Sequence, residues 1–191
     1  MVLLKLVRKK IVKKLKKKGM KEWPSVGVSS LSYKDEEIPF VSFNLEEKDY
    51  WKACVNEQKK YKEPHMRDLY DSLEEQNPVK DEAFIKIENI NGTIVLVGAK
   101  DDSMWDSTRY IDRMEERLKN AKFKNKFVKL SYEVGTHFLF PRTIFKNLSA
   151  LGGELLIHRF KSGKKNLKKC KEVQMSLDYS LDAVINEWIS Q

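Results

Sequence analysis

Two aspartates and one histidine stand where chemistry could be done. Asp101 and Asp102 follow the apolar run "TIVLVGAK", and His137 follows the alternating segment "FVKLSYEV", inside "EVGTHFLFP" at 133–141. Punctuation by Gly135 and Pro141 places the histidine outside any helix or strand interior, at the tip of a loop. A carboxylate within hydrogen-bond reach of an imidazole holds it in one tautomer and stabilises its charged form, which is what a general base needs. The competing reading of the same pattern is bland: a surface carboxylate and a hydrogen-bonded loop histidine on neighbouring loops.

The elements around these residues decide whether they can meet. Ile94 to Val97 are continuous and apolar, entered by Gly92 and ended by Gly98. Such a run predicts a short, central parallel strand over 93–97. "DSTRYIDRMEERLKN" predicts a helix over about 107–120, capped by Asp106 or Ser107, with Ile111, Met114 and Leu118 as its apolar stripe. Glu115 and Lys119 form an i,i+4 pair on it. "FVKLSYEV" predicts a second strand near 127–134, with Val128, Leu130, Tyr132 and Val134 on one face. The order is strand, acidic loop, helix, strand, histidine loop. A right-handed crossover brings both strand ends to one edge of a parallel sheet, the edge where open α/β sheets carry their sites.

Elsewhere the pattern is coarser. "SLSYKDEEIPFVSF" at 30–43 reads as irregular or hairpin-like, and residues 45–76 as helix-tolerant with a break at Pro64. "MSLDYSLDAVINEWISQ" closes the chain as an amphipathic helix, with Leu177, Leu181, Ile185 and Ile189 four apart and Val184 and Trp188 beside them, suited to docking on the sheet. "SGKKNLKKCK" at 162–171 reads as a solvated basic run. His65 and His158 read as loop or surface histidines, Cys54 as an ordinary helix-face residue, and Trp105 as a pocket wall.

The chain has 191 residues and a formal net charge of +9. The charge looks like a nucleic-acid signal until it is mapped. Residues 1–20 hold nine basic residues and no acid, and the remaining 28 basic and 28 acidic residues cancel. Residues 1–22 are therefore expected to be a basic amphipathic helical arm, with Leu4, Val7, Ile11 and Leu15 on one face. The reading preferred is a surface helix packed on its own domain; the competing one is an arm for an anionic membrane or RNA. No aromatics interleave with the lysines, which argues against nucleic acid. Cys54 and Cys170 lack CxxC spacing, so neither a disulfide framework nor a zinc site is expected, and the compartment is expected to be reducing. No apolar run approaches a membrane span and no secretory segment stands out. Cytoplasm is the default expectation, and no cofactor or metal is expected.

Three segments, "LSYKDEEIPFV" (31–41), "IENINGTIVLVGAKDDSMWDS" (87–107) and "YEVGTHFLFP" (132–141), resemble the C-terminal catalytic domain shared by acyl-CoA thioesterases and bile acid-CoA:amino acid N-acyltransferases. The resemblance runs collinearly from about Ser29 to the terminal helix. It implies an α/β-hydrolase fold, an acyl-CoA thioester as substrate, and a Ser or Cys nucleophile whose acyl group passes to water or an amino acid. It also implies that the family's acid falls on Asp102, with Asp101 the weaker choice, and its base on His137.

The departure from the family lies upstream. Its nucleophile sits on a G-x-S-x-G elbow before the Tyr-Lys motif, and residues 1–22 contain no Ser or Cys. The one formal candidate, "GVSSL" at 27–31, puts Leu31 where the elbow needs almost no side chain, and "YKDEEIPF" follows where a helix should. Ser29 is therefore not expected to be the nucleophile. The expectation is an incomplete α/β-hydrolase fold over 23–191, mostly parallel sheet with flanking helices: the C-terminal half, supplying Asp102 and His137. A separate chain would carry the nucleophile half. The alternative is a non-catalytic binding or regulatory half-domain, or a gene remnant, that uses its arm for a partner.

Overall fold

The computed structural model of the protein describes Gly27, Ser29, residues 31–141 and residues 150–190; of residues 150–152 it describes the backbone alone. The arm expected over 1–22 lies outside the described residues. The described chain opens with a small hairpin, β1 (Ser32–Tyr33) and β2 (Glu36–Glu37), paired antiparallel. Lys34 and Asp35 between them both have positive φ, 52° and 66°, the twist that a two-residue hairpin loop needs. Helices α1 (Glu47–Tyr61) and α2 (Arg67–Gln76) follow, separated at Pro64, and two short 3-10 turns lead into β3 (Ile94–Ala99). Helix α3 (Ser107–Asn120) then crosses to β4 (Phe127–Tyr132), and α4 (Ala150–Ile157), α5 (Lys161–Lys165) and α6 (Leu167–Ile189) complete the order.

β3 and β4 pair in parallel, from Ile94 opposite Phe127 to Ala99 opposite Tyr132. The side-chain period of two then sorts β3 onto two cores. Ile94 and Leu96 face α3, in a cluster with Ile87, Ile111 and Leu118, and Met114, Phe123 and Phe127 pack against it. Val97 and Ala99 face the other way, with Leu130, Tyr132, Leu139 and Leu177. Helices thus cover both faces, which explains the unbroken apolar run. Asp106 caps α3 by accepting from the Arg109 amide at 3.0 Å, and Glu115 pairs with Lys119 at 2.9 Å.

β3 runs one residue past the expected stop at Gly98. The reason is packing: a Cβ on Gly98 would stand 3.0 Å from Ile111 Cδ1 and 3.1 Å from the Ser107 backbone. The glycine lets the first turn of α3 press on the strand. Ser107 then ties that turn to Ala99, its hydroxyl accepting from the Ala99 amide and donating to its carbonyl, both at 3.1 Å.

Among the described residues the sheet is smaller than a mostly parallel hydrolase sheet. Among the described residues the strands form two separate pairs, one parallel and one antiparallel. What stands is a mixed α/β arrangement built on one parallel pair. The last helix begins earlier than expected, at Leu167, so part of the basic run lies on its first turns, where Lys168 and Lys169 are exposed. Leu177 is buried against the sheet and Leu181 packs beside it. The stripe does not stay docked, because Ile185, Trp188 and Ile189 are exposed: the 23-residue helix outruns the six-residue strands it covers. No described helix is long and apolar enough to cross a membrane.

Leu118 is 0% exposed in the α3 cluster. Leu118→Ala should lower stability by about 2–5 kcal/mol, read as a shifted urea midpoint at unchanged slope. A loss below about 1 kcal/mol would mean that the α3–sheet contact is not a packed core.

Candidate active site

The chain leaves β3 through a tight turn, in which the Asp102 amide donates to the Ala99 carbonyl at 3.2 Å. Asp102 folds back over its own loop, one carboxylate oxygen accepting from the amides of Met104 at 2.9 Å and Trp105 at 3.4 Å. Both carboxylate oxygens lie 3.3 Å from Nδ1 of His137, which sits just beyond β4. The contact is at the long end for a hydrogen bond. The side chains are sheltered, 5% exposed for Asp102 and 18% for His137.

Adjacent residues at a strand end point apart, and Asp101 takes the other direction. One of its oxygens accepts from the amides of Gly135 and Thr136, at 2.9 and 2.8 Å; the other accepts from the Ser162 hydroxyl at 2.5 Å. Thr136 is 1% exposed and left-handed, with φ 59°. That conformation is costly for a β-branched residue, and the Asp101 carboxylate holds it. Asp101 therefore fixes the histidine loop while Asp102 addresses the ring. Gly135 is equally constrained, since a Cβ there would meet Leu139 at 3.0 Å and Ala99 at 3.1 Å.

The acid loop is also gripped from the side. Arg67, on the first turn of α2, donates to the carbonyls of Lys100 at 3.0 Å and Asp102 at 3.4 Å and pairs with Asp106. The amides of Met66 and Arg67 donate to the Ser103 carbonyl, and the Ser103 hydroxyl donates to the Pro64 carbonyl. Around the imidazole stand aromatic walls. Trp105 meets the ring edge-on at 4.3 Å between centroids, Phe138 lies at 5.5 Å and Phe160 at 6.4 Å.

Nε2 of His137 makes no hydrogen bond to a described serine or cysteine. The Ser29 hydroxyl is engaged in its own turn, donating to the Leu31 carbonyl at 2.8 Å. Both cysteines are buried. Burial raises the Cys54 thiol pKa, and burial together with the Asp101 carboxylate pushes that of Cys170 up to about 11. Thiols raised in this way are poor nucleophiles. A groove of about 770 Å³ opens between α2 and α3, but neither Asp102 nor His137 lines it. Of the other histidines, His158 is exposed. His65 lies in the loop between α1 and α2, one of the two placements expected, but it is buried there, 8% exposed, with its ring stacked on Tyr61 at 3.6 Å. Arg67 and Ser162 had no local signal in the sequence, because each acts on a loop more than thirty residues away.

Removing the Asp101 carboxylate leaves two loop amides without a partner. Asp101→Ala should speed hydrogen exchange at Gly135 and Thr136 by at least about fivefold beyond any change at the β3–β4 ladder, consistent with about 1–3 kcal/mol for an orphaned donor. Asp102→Ala should leave those two amides protected. Equal effects of the two substitutions would contradict the division of labour.

No curated protein and no solved structure matches the chain. The family described as BAAT / Acyl-CoA thioester hydrolase C terminal matches it over residues 24–144, a span that holds the hairpin, both parallel strands, the crossover helix, Asp102 and His137. The chain belongs to that family.

Proposed function

We propose that the chain supplies the acid and base of an α/β-hydrolase-type acyl-CoA thioesterase or acyltransferase, with Asp102 orienting His137. The observation that carries the reading is the Asp102–His137 contact at the shared edge of a parallel strand pair. In α/β-hydrolases the triad order is nucleophile, acid, histidine, and the acid and histidine follow successive strands. Family membership adds the substrate class, an acyl-CoA thioester.

The chemistry follows from the two ring nitrogens. Asp102 holds a proton on Nδ1, which leaves the Nε2 lone pair free to take the proton of a Ser hydroxyl or Cys thiol. The nucleophile attacks the thioester carbonyl, and Asp102 stabilises the imidazolium that forms. The imidazolium then protonates the departing coenzyme A sulfur, and an acyl-enzyme remains. His137 next takes a proton from water or from an amino-acid amine, whose attack on the acyl carbonyl breaks the acyl–enzyme bond, and returns that proton to the departing Ser oxygen or Cys sulfur, which restores nucleophile and base. Trp105, Phe138 and Phe160 keep bulk water off the ring, where electrostatic help is worth more than in solvent. The nucleophile is supplied from outside the described residues, from a G-x-[SC]-x-G elbow on another stretch of polypeptide. The buried cysteines and the locally bonded Ser29 support that assignment.

Purified as the 191-residue chain, the protein should release no thiol from acyl-CoA above background. With a polypeptide bearing the elbow added or fused upstream, thiol release should appear, and His137→Ala should lower it by about 10²–10⁴-fold, the contribution of a general base. Robust turnover by the chain alone, abolished by Ser29→Ala, would place the nucleophile in "GVSSL" and overturn the reading.

A further inference from the structure

A second cluster of side chains lies away from the dyad, where α1 gives way to α2. Glu57 lies on α1, His65 follows Pro64, and Asp68 lies in the first turn of α2. One ligand atom from each falls within 4.8 Å of the others. His65 Nε2 is 3.1 Å from Asp68 Oδ1. Two further polar atoms there are buried and make no hydrogen bond: Nδ1 of His65 and Oε2 of Glu57. Buried polar groups are ordinarily satisfied, so the orphaned Glu57 oxygen points to a missing partner, and Nε2, the ring nitrogen that meets Asp68 Oδ1, is the one that would share a ligand with it.

We propose that Glu57, His65 and Asp68 form a site for a divalent transition-metal cation of the zinc class. Two carboxylates match a divalent charge, and the imidazole selects zinc-like ions over magnesium or calcium, which prefer oxygen alone. Water would complete the coordination. The remaining groups fit the arrangement. Tyr61 stacks on the His65 ring and fixes its plane. Tyr61 and Lys60 both hold Asp68 Oδ2, which leaves Oδ1 turned to His65; outer hydrogen bonds of this kind orient metal-binding carboxylates. The role is structural. The next residues, Met66 and Arg67, carry the hydrogen bonds that grip the loop of Asp102, so a cation here stiffens the support of the acid.

The test uses the full chain, stripped with a chelator and titrated calorimetrically with Zn²⁺, with Mg²⁺ and Ca²⁺ as comparators. Saturable binding of one equivalent of Zn²⁺ is expected, with a raised thermal midpoint, since a ligand of the folded state alone stabilises it. Glu57→Gln and His65→Gln should each weaken binding by at least about tenfold, and His137→Ala and His158→Ala should not change it. Should His65→Gln fail to fold, Glu57→Gln and Asp68→Asn decide. Absence of saturable Zn²⁺ binding overturns the proposal, as does binding unaffected by Glu57→Gln or lost with His137→Ala.

Discussion

The site depends on the parallel register of β3 and β4. Ala99 stands opposite Tyr132, so both strands end at the same level, and the Lys100 amide carries the ladder one step further to the Tyr132 carbonyl at 2.9 Å. An antiparallel pair would send the Asp and His loops to opposite ends. A one-residue slip would turn Val97 and Ala99 to the wrong core. Parallel strands need a crossover long enough to return the chain, and α3 provides it, locked to β3 at Gly98 and at Ser107. Site geometry and core packing are therefore one constraint: the contacts that bury Ile111 and Leu118 also set where Asp102 can stand.

Two neighbouring carboxylates then do different work. Asp102 spends its oxygens on its own loop and on the imidazole, and Asp101 spends its oxygens on the histidine loop and on Ser162. Through Ser162 the first turn of α5 is drawn to the same point, with Phe160 just before it against the aromatic ring of Phe138 at 5.6 Å. Gly163 sits where a Cβ would be 2.2 Å from the Ile157 carbonyl oxygen, so α4 and α5 meet closely there. The result is an imidazole fixed from below by a carboxylate and from the sides by aromatic rings.

The local elements were legible in the sequence because they follow from period and punctuation. The unbroken run at 94–97, the stripe Ile111–Met114–Leu118 and the breaks at Pro64 and Gly135 mark elements that the structure contains. Asp102 was preferred to Asp101 only through family resemblance, since the direction of a side chain past a strand end is a tertiary matter. Long-range supports were not legible. Arg67 grips a loop 33 residues away, and His65 is buried by a stacking partner that composition does not reveal. The terminal stripe overstated docking, because periodicity records an apolar face and not the length of the sheet beneath it. The pairing of the described strands into two separate pairs was the other gap, since strand pairing is settled between segments.

In the proposed mechanism Asp102 holds the Nδ1 proton of His137 and leaves Nε2 as the base. Nitrogen-15 NMR of the histidine rings tests this most directly, at a pH where the ring is neutral. His137 should carry its proton on Nδ1, and Asp102→Asn should shift the tautomer while Asp101→Asn does not. A neutral His137 protonated on Nε2, or a tautomer indifferent to Asp102→Asn, would contradict it.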